Sequence, residues 1–66
     1  MRPGETELQM VQRHVADGKR HIADQRALIT KLERMGADTV AAETLLGNFS
    51  DMQALHLEHL ARLQSR

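Results

Sequence analysis

The segment Met35-Gly36-Ala37-Asp38-Thr39 decides how this chain folds, because it separates two long stretches that have the periodicity of amphipathic helices. Gly36 suits the left-handed backbone conformation that ends many helices. Asp38 and Thr39 have side chains that cap the start of a following helix. A link this short makes the two helices antiparallel neighbours.

On both sides of this turn, apolar residues recur at steps of three and four, which places them on one helix face. Thr6-Glu7-Leu8-Gln9 has the spacing of a capping box at the start of the first helix. We therefore predict an all-α fold with helices over residues 6–35 and 39–64 and a turn at 36–38. Residues 1–5 are expected to be a flexible N-terminus, and residues 6–66 to form one helical-hairpin domain.

Gly18 and Gly47 lie inside the predicted helices. The apolar pattern keeps its phase across both glycines, so we predict that both helices are continuous. A first helix that is split near Asp17-Gly18 is the alternative.

The composition limits both the size and the partners of the domain. The chain has 66 residues, no cysteine, and nine basic side chains that balance nine acidic ones. So short a chain forms a single domain with a small core, and it has no disulfide to support it. A net charge of zero gives no general attraction to nucleic acids or to acidic membranes. With no signal sequence and no apolar run of membrane-spanning length, we expect a cytoplasmic protein.

Each helix carries a second apolar row beside its main seam, which is a wider stripe than a two-helix contact needs. Two hairpins that pair into a four-helix bundle would cover this row, so we expect a homodimer. Another helical protein is the alternative partner. The predicted core and dimer residues are Leu8, Val11, Val15, Ile22, Leu28, Ile29, Leu32, Leu45, Leu46, Phe49, Met52, Leu60 and Leu63.

The predicted seam is apolar next to the turn and polar in the half away from it. A hairpin that turns near residue 37 places Gly18 opposite His56 and Ile22 opposite Gln53. All four histidines of the chain fall in this polar half. If the protein has a functional site, we expect it there.

One hypothesis for the polar half is a transition-metal site. His56 and His59 lie one helical turn apart and could share an ion with His14 or His21 from the other helix. Zinc accepts three or four such ligands. The metal-site candidates are therefore His14, His21, His56 and His59, and otherwise no cofactor is expected.

Two further hypotheses need no metal. Imidazoles gain their proton near about pH 6.5, so the histidines could make the hairpin responsive to acid. Alternatively, Gln25, Gln53 and His56 fix the register of the two helices, as buried polar groups can. Gly18 would then be small in order to admit the His56 ring.

The sequence gives little support for catalysis or for nucleic-acid binding. Ser50 and Asp51 lie on the same helix as His56, which is not a nucleophile–base arrangement, so we do not expect an enzyme. A basic stripe on the first helix could follow RNA phosphates, although acidic residues interleave it and stacking aromatics are missing. Its members are Arg13, Lys19, Arg20, Arg26 and Arg34.

A longer pattern connects these features with other proteins. It runs His21-Ile22-x-x-Gln25-Arg26-x-Leu28-Ile29-x-x-Leu32, then Gly36-x-Asp38-Thr39, then Leu45-Leu46-x-x-Phe49, then His56 and Arg62. This pattern resembles a group of short stand-alone helical-hairpin proteins that are frequent in alphaproteobacteria. The resemblance covers about residues 14–63, and it implies a helical hairpin without catalytic residues, in a group whose members are mostly of uncharacterised function.

The sequence thus predicts a non-catalytic, self-associating interaction or scaffold module. A histidine-based metal-binding or pH-responsive hairpin is the first alternative. An RNA-binding hairpin dimer that uses the basic face of the first helix is the second.

Overall fold

A computed structural model of the chain describes residues 2–65 and contains two α-helices. Helix α1 spans Glu7–Arg34 and helix α2 spans Val40–Gln64, and the two pack against each other as an antiparallel hairpin. The molecule measures 48 × 22 × 13 Å, so it is a single layer of helices. The predicted all-α hairpin is confirmed, and each helix begins and ends within one residue of its predicted bounds.

The start of α1 is fixed by the predicted capping box. The Thr6 hydroxyl oxygen accepts a hydrogen bond from the Gln9 backbone N–H at 3.1 Å. In return, the Thr6 backbone N–H donates to the Gln9 side-chain oxygen at 3.0 Å. These bonds satisfy two of the N–H groups that a helix start leaves without partners.

The end of α1 is a Schellman motif built on Gly36, which has a φ of 70°. The Ala37 N–H donates to the Leu32 carbonyl at 2.9 Å, and the Gly36 N–H donates to the Glu33 carbonyl at 3.0 Å. Glycine takes this left-handed conformation without the steric cost that a side chain adds. The motif stops the helix and turns the chain back.

The start of α2 is capped by Asp38, whose carboxylate accepts a hydrogen bond from the Val40 N–H at 2.9 Å. Thr39 occupies the N-cap position but makes no side-chain cap bond. Beyond these ends, α1 runs unbroken through Gly18 and α2 through Gly47, as predicted.

The core between the helices is small and partly polar. Among the described residues, Val11, Ile29 and Ala42 are the buried hydrophobic residues, and Gln25 and Gln53 are buried with them. Each glutamine donates a 2.9 Å hydrogen bond from its side-chain amide to a backbone carbonyl of the opposite helix. The helices are therefore joined by two buried amides as well as by apolar contact.

The predicted core and dimer residues divide into three groups by exposure. Val11 and Ile29 are buried. Those that are half-buried within the single hairpin are Val15, Ile22, Leu32, Leu46, Phe49, Leu60 and Leu63. Those that remain exposed are Leu8, Leu28, Leu45 and Met52.

The N-terminal segment, which the sequence predicts to be flexible, is tied to α1 from residue 2 onward, and Met1 lies outside the described residues. The Arg13 guanidinium donates to both carboxylate oxygens of Glu5, at 3.0 and 3.1 Å. The Arg2 backbone N–H donates to the same carboxylate at 3.3 Å. The hydrogen bond from Arg13 lowers the pKa of Glu5 from 4.5 to about 2, against the opposing effect of desolvation.

This ion pair predicts an acid-sensitive N-terminal segment. Because the pKa of Glu5 is lower in the folded state, its contact with Arg13 stabilises the fold fully above about pH 4.5 and is lost as the pH falls toward about 2. An NMR titration of the Glu5 carboxyl carbon should show a midpoint near 2. In an Arg13→Gln control the midpoint should return toward 4.5. A wild-type midpoint near 4.5 would show that the contact does not form.

Candidate functional site: a histidine groove on an apolar face

A groove of about 210 Å³ lies between the helices, in the half of the hairpin away from the turn. Each helix contributes four residues at spacings of three, one and three, so each set spans two turns of one helix face. The lining residues are His14, Asp17, Gly18, His21, Phe49, Met52, Gln53 and His56.

Gln53 and Gly18 form the closest contact in the groove. The Gln53 amide nitrogen donates to the Val15 carbonyl at 2.9 Å, and its amide oxygen is buried without a hydrogen-bond partner. That oxygen lies against Gly18, where any Cβ atom would overlap it. The prediction that Gly18 makes room for His56 is therefore wrong, because the side chain that needs the space is Gln53.

The same contact corrects the predicted register of the two helices. His56 packs against His14, with ring centroids 5.1 Å apart, one helical turn from its predicted position opposite Gly18. His21 packs against Phe49 at 5.6 Å. The predicted register is derived only from the position of the turn. The observed register is the one in which the side chains of Gln53 and Gln25 reach the carbonyls of Val15 and Ala42.

The structure does not assemble the four predicted metal ligands. His14 faces His56 and His21 faces Phe49, while the His59 ring nitrogen lies 3.2 Å from the Glu7 carboxylate. Within residues 2–65, no group of three or more His, Cys, Asp or Glu side chains is arranged to hold an ion. The corrected register brings His14 and His56 together, but His21 and His59 lie in separate contacts with Phe49 and Glu7.

The predicted basic stripe on α1 is partly neutralised by neighbouring carboxylates. Arg13 is bound to Glu5 on both oxygens, and Arg20 lies 3.2 Å from the Asp17 carboxylate. Phosphate oxygens would have to displace these acidic partners. This arrangement does not favour the RNA-binding alternative.

The groove continues into a row of exposed apolar side chains along one side of the hairpin. Residues seven apart share a helix face, so Leu28 and Met35 extend the row of His21, and Leu45 extends the row of Met52. Since His21 and Met52 both line the groove, the two rows lie on the same side. We call this side the front face; its members are His14, His21, Leu28, Met35, Leu45, Met52 and Leu55, with the polar side chains of Glu7, Asp17 and His59 on the same side.

The front face carries several exposed apolar side chains. Leu28 is 43% exposed, Leu45 is 42% exposed and Met52 is 52% exposed. Leu55 is not among the core and dimer residues predicted from the sequence. Its position three residues after Met52 nevertheless indicates the same helix face. The groove itself offers apolar walls and imidazole rings, which suit an apolar side chain better than a phosphate or a sugar.

Comparison of the chain with protein-family models, with curated proteins and with solved structures gives no match. Within residues 2–65, neither helix is long and apolar enough to span a lipid bilayer. The resemblance to alphaproteobacterial hairpin proteins therefore stays a prediction. Any function must be argued from the groove and the front face.

The contact between Gly18 and Gln53 predicts opposite effects for two glycine-to-alanine substitutions. Gly47→Ala should stabilise the protein by about 0.5–1 kcal/mol, because a Cβ there meets open space and alanine favours the helix. Gly18→Ala should destabilise it by about 1 kcal/mol net, since the displaced amide loses its partner in a buried site. Urea unfolding followed by circular dichroism at 222 nm measures both effects.

A double substitution isolates the cause. In a Gln53→Ala background the penalty of Gly18→Ala should disappear, because the amide that needs the space is no longer there. Equal stabilisation by Gly18→Ala and Gly47→Ala in the wild-type background would refute the contact.

Proposed function

We propose that this protein is a non-catalytic interaction module that pairs with a second copy of itself through the front face. The observation that carries the proposal is the row of exposed apolar side chains on that face, above all Leu28, Leu45 and Met52. Contiguous exposed apolar surface on a small protein is typical of an interaction site.

The surface area of the single hairpin supports the same conclusion. Its accessible surface is 4920 Å², whereas a compact monomer of 7.5 kDa exposes about 4,200 Å². The excess is close to the roughly 800 Å² that each partner buries in a standard protein–protein interface. Pairing would bring the chain to the exposure that is ordinary for its mass.

The one-layer architecture of the hairpin also supports the proposed self-association. Stable domains are built from at least two packed layers, and this hairpin has one layer, 13 Å thick. Within residues 2–65, the apolar residues that are buried between the helices are few: Val11, Ile29 and Ala42. Stacking two hairpins by their front faces would supply a second layer and make a four-helix bundle.

Two leucines on α2 provide a matched test of this proposal. Leu45 lies on the front face and is 42% exposed, while Leu57 is 47% exposed but lies on another side of the helix. Removing the remaining exposure of Leu45 is worth about 1 kcal/mol per chain, and a dimer contains two copies. Leu45→Gln should therefore weaken dimerisation at least about tenfold.

The measurement is sedimentation equilibrium, with circular dichroism to confirm that each variant stays helical. Leu57→Gln should leave the dissociation constant unchanged. Equal effects of the two substitutions, or a wild-type chain that is monomeric at high micromolar concentration, would contradict the proposal and leave the front face for a different helical partner.

A pH-responsive hairpin is the second candidate, favoured by the His14–His56 contact of 5.1 Å. Protons on both rings would place two like charges side by side across the helix interface. In that case the melting temperature should be lower in acid than at neutral pH, and the double variant His14→Gln/His56→Gln should not show this fall. A wild-type fall that the double variant retains would exclude this role for the pair.

A further inference from the structure

We infer that the second copy lies on the front face in the opposite direction, so that its Leu28 covers the histidine groove of the first copy. This inference rests on the proposed self-association and adds the orientation and the occupant of the groove. The groove would then be half of a shared site that each copy completes for the other.

The distribution of charge along the hairpin is the first observation that favours the opposite direction. Within the described residues, 2–20 and 52–65 make the open half, with five basic and four acidic side chains and a net charge of +1. Residues 21–51 make the turn half, with three basic and five acidic side chains and a net charge of −2. The hairpin is therefore polarised along its length, with a positive open half and a negative turn half.

Two symmetric arrangements bring the front faces together. In the same-end arrangement both turns lie at one end, and the positive halves face each other, as do the negative halves. In the opposite-end arrangement each positive half faces a negative half. Exposed charges contribute little singly, but only the opposite-end arrangement places halves of opposite net charge against each other, and this complementarity favours it.

The row of His14, His21 and Leu28 on α1 is the second observation, and it places Leu28 of the second copy. The midpoint of α1, which spans Glu7–Arg34, falls beside His21. Full overlap of two α1 helices in opposite directions places the two-fold axis at this midpoint. His14 and Leu28 are each seven residues from His21 on the same row, so Leu28 of the second copy lies over His14 of the first.

The groove has the character to receive that leucine. At the level of His14 it is lined by the His56 ring, and Gly18 and Met52 line it one helical turn further along. Same-end packing would instead stack one histidine groove on the other and leave the leucines to cover each other. Opposite-end packing pairs the leucine-rich half of each face with the groove of its partner.

Disulfide cross-linking tests the orientation without background, because the chain has no cysteine. His14→Cys and Leu28→Cys chains, distinguished by isotopic mass, are mixed and oxidised under mild conditions. Opposite-end packing predicts that the disulfide between position 14 of one chain and position 28 of the other exceeds both homodisulfides. Same-end packing holds these positions about 21 Å apart along the helix, beyond the reach of a disulfide.

A second pair of variants reports the same-end arrangement. In that arrangement α1 lies over α2 of the other copy, so Leu28→Cys mixed with Ala41→Cys would cross-link. His21→Cys alone should form a homodisulfide only when the helices are opposed at the two-fold axis, and it tests the inference if His14→Cys fails to fold.

The outcomes separate this inference from the proposed function. Cross-linking of positions 28 and 41, or a dimer that cross-links at neither 14–28 nor 21–21, overturns the orientation and leaves self-association standing. A wild-type chain that native mass spectrometry shows to be monomeric removes both. A dominant 14–28 disulfide, with the 21–21 homodisulfide, supports the arrangement.

Discussion

The buried amide of Gln53 determines the register of the two helices, and the contacts between them depend on that register. Its nitrogen is bonded to the Val15 carbonyl and its oxygen is pressed against Gly18, so the position of α2 along α1 is fixed at that point. A shift by one turn would place the amide against the side chain of His14 or Ile22 in place of Gly18. Gln25 makes the equivalent bond in the other direction, to the Ala42 carbonyl. Two apolar seams alone would slide past each other more easily, because dispersion contacts have no direction.

The register has consequences for the surface. It places His14 beside His56 and His21 beside Phe49, and it leaves a groove between the two pairs. The groove opens onto the front face, where Leu28 and Leu45 remain exposed. The one-layer architecture and the exposed apolar face have the same cause. A chain of this length has too few residues to cover both sides of its two helices. The proposed second copy would cover this face with the same face and with the opposite end of its charge pattern.

The site could be predicted only in part from the sequence. The half of the hairpin that contains the groove followed from the positions of the four histidines and of Gln53. The four histidines predicted as metal ligands lie in three separate contacts, because the positions of the rings depend on the register, and His59 lies beside Glu7. The glycine at position 18 predicts that a side chain approaches α1 closely, but that side chain is Gln53 and not His56. A glycine in mid-helix indicates that something approaches closely, but it does not say which side chain does so.

The sequence by itself determined the all-α class, the two helices and the turn. These features depend on local interactions: the capping box at Thr6 and Gln9, the left-handed Gly36, the Asp38 cap and the three-to-four-residue apolar spacing. Only the tertiary structure decided the register, the pairing of the histidines and the existence of the groove. These depend on where two long glutamine side chains find carbonyl partners on the opposite helix. Such partners are distant in sequence, and a change of one turn preserves every local signal while it changes every contact across the interface.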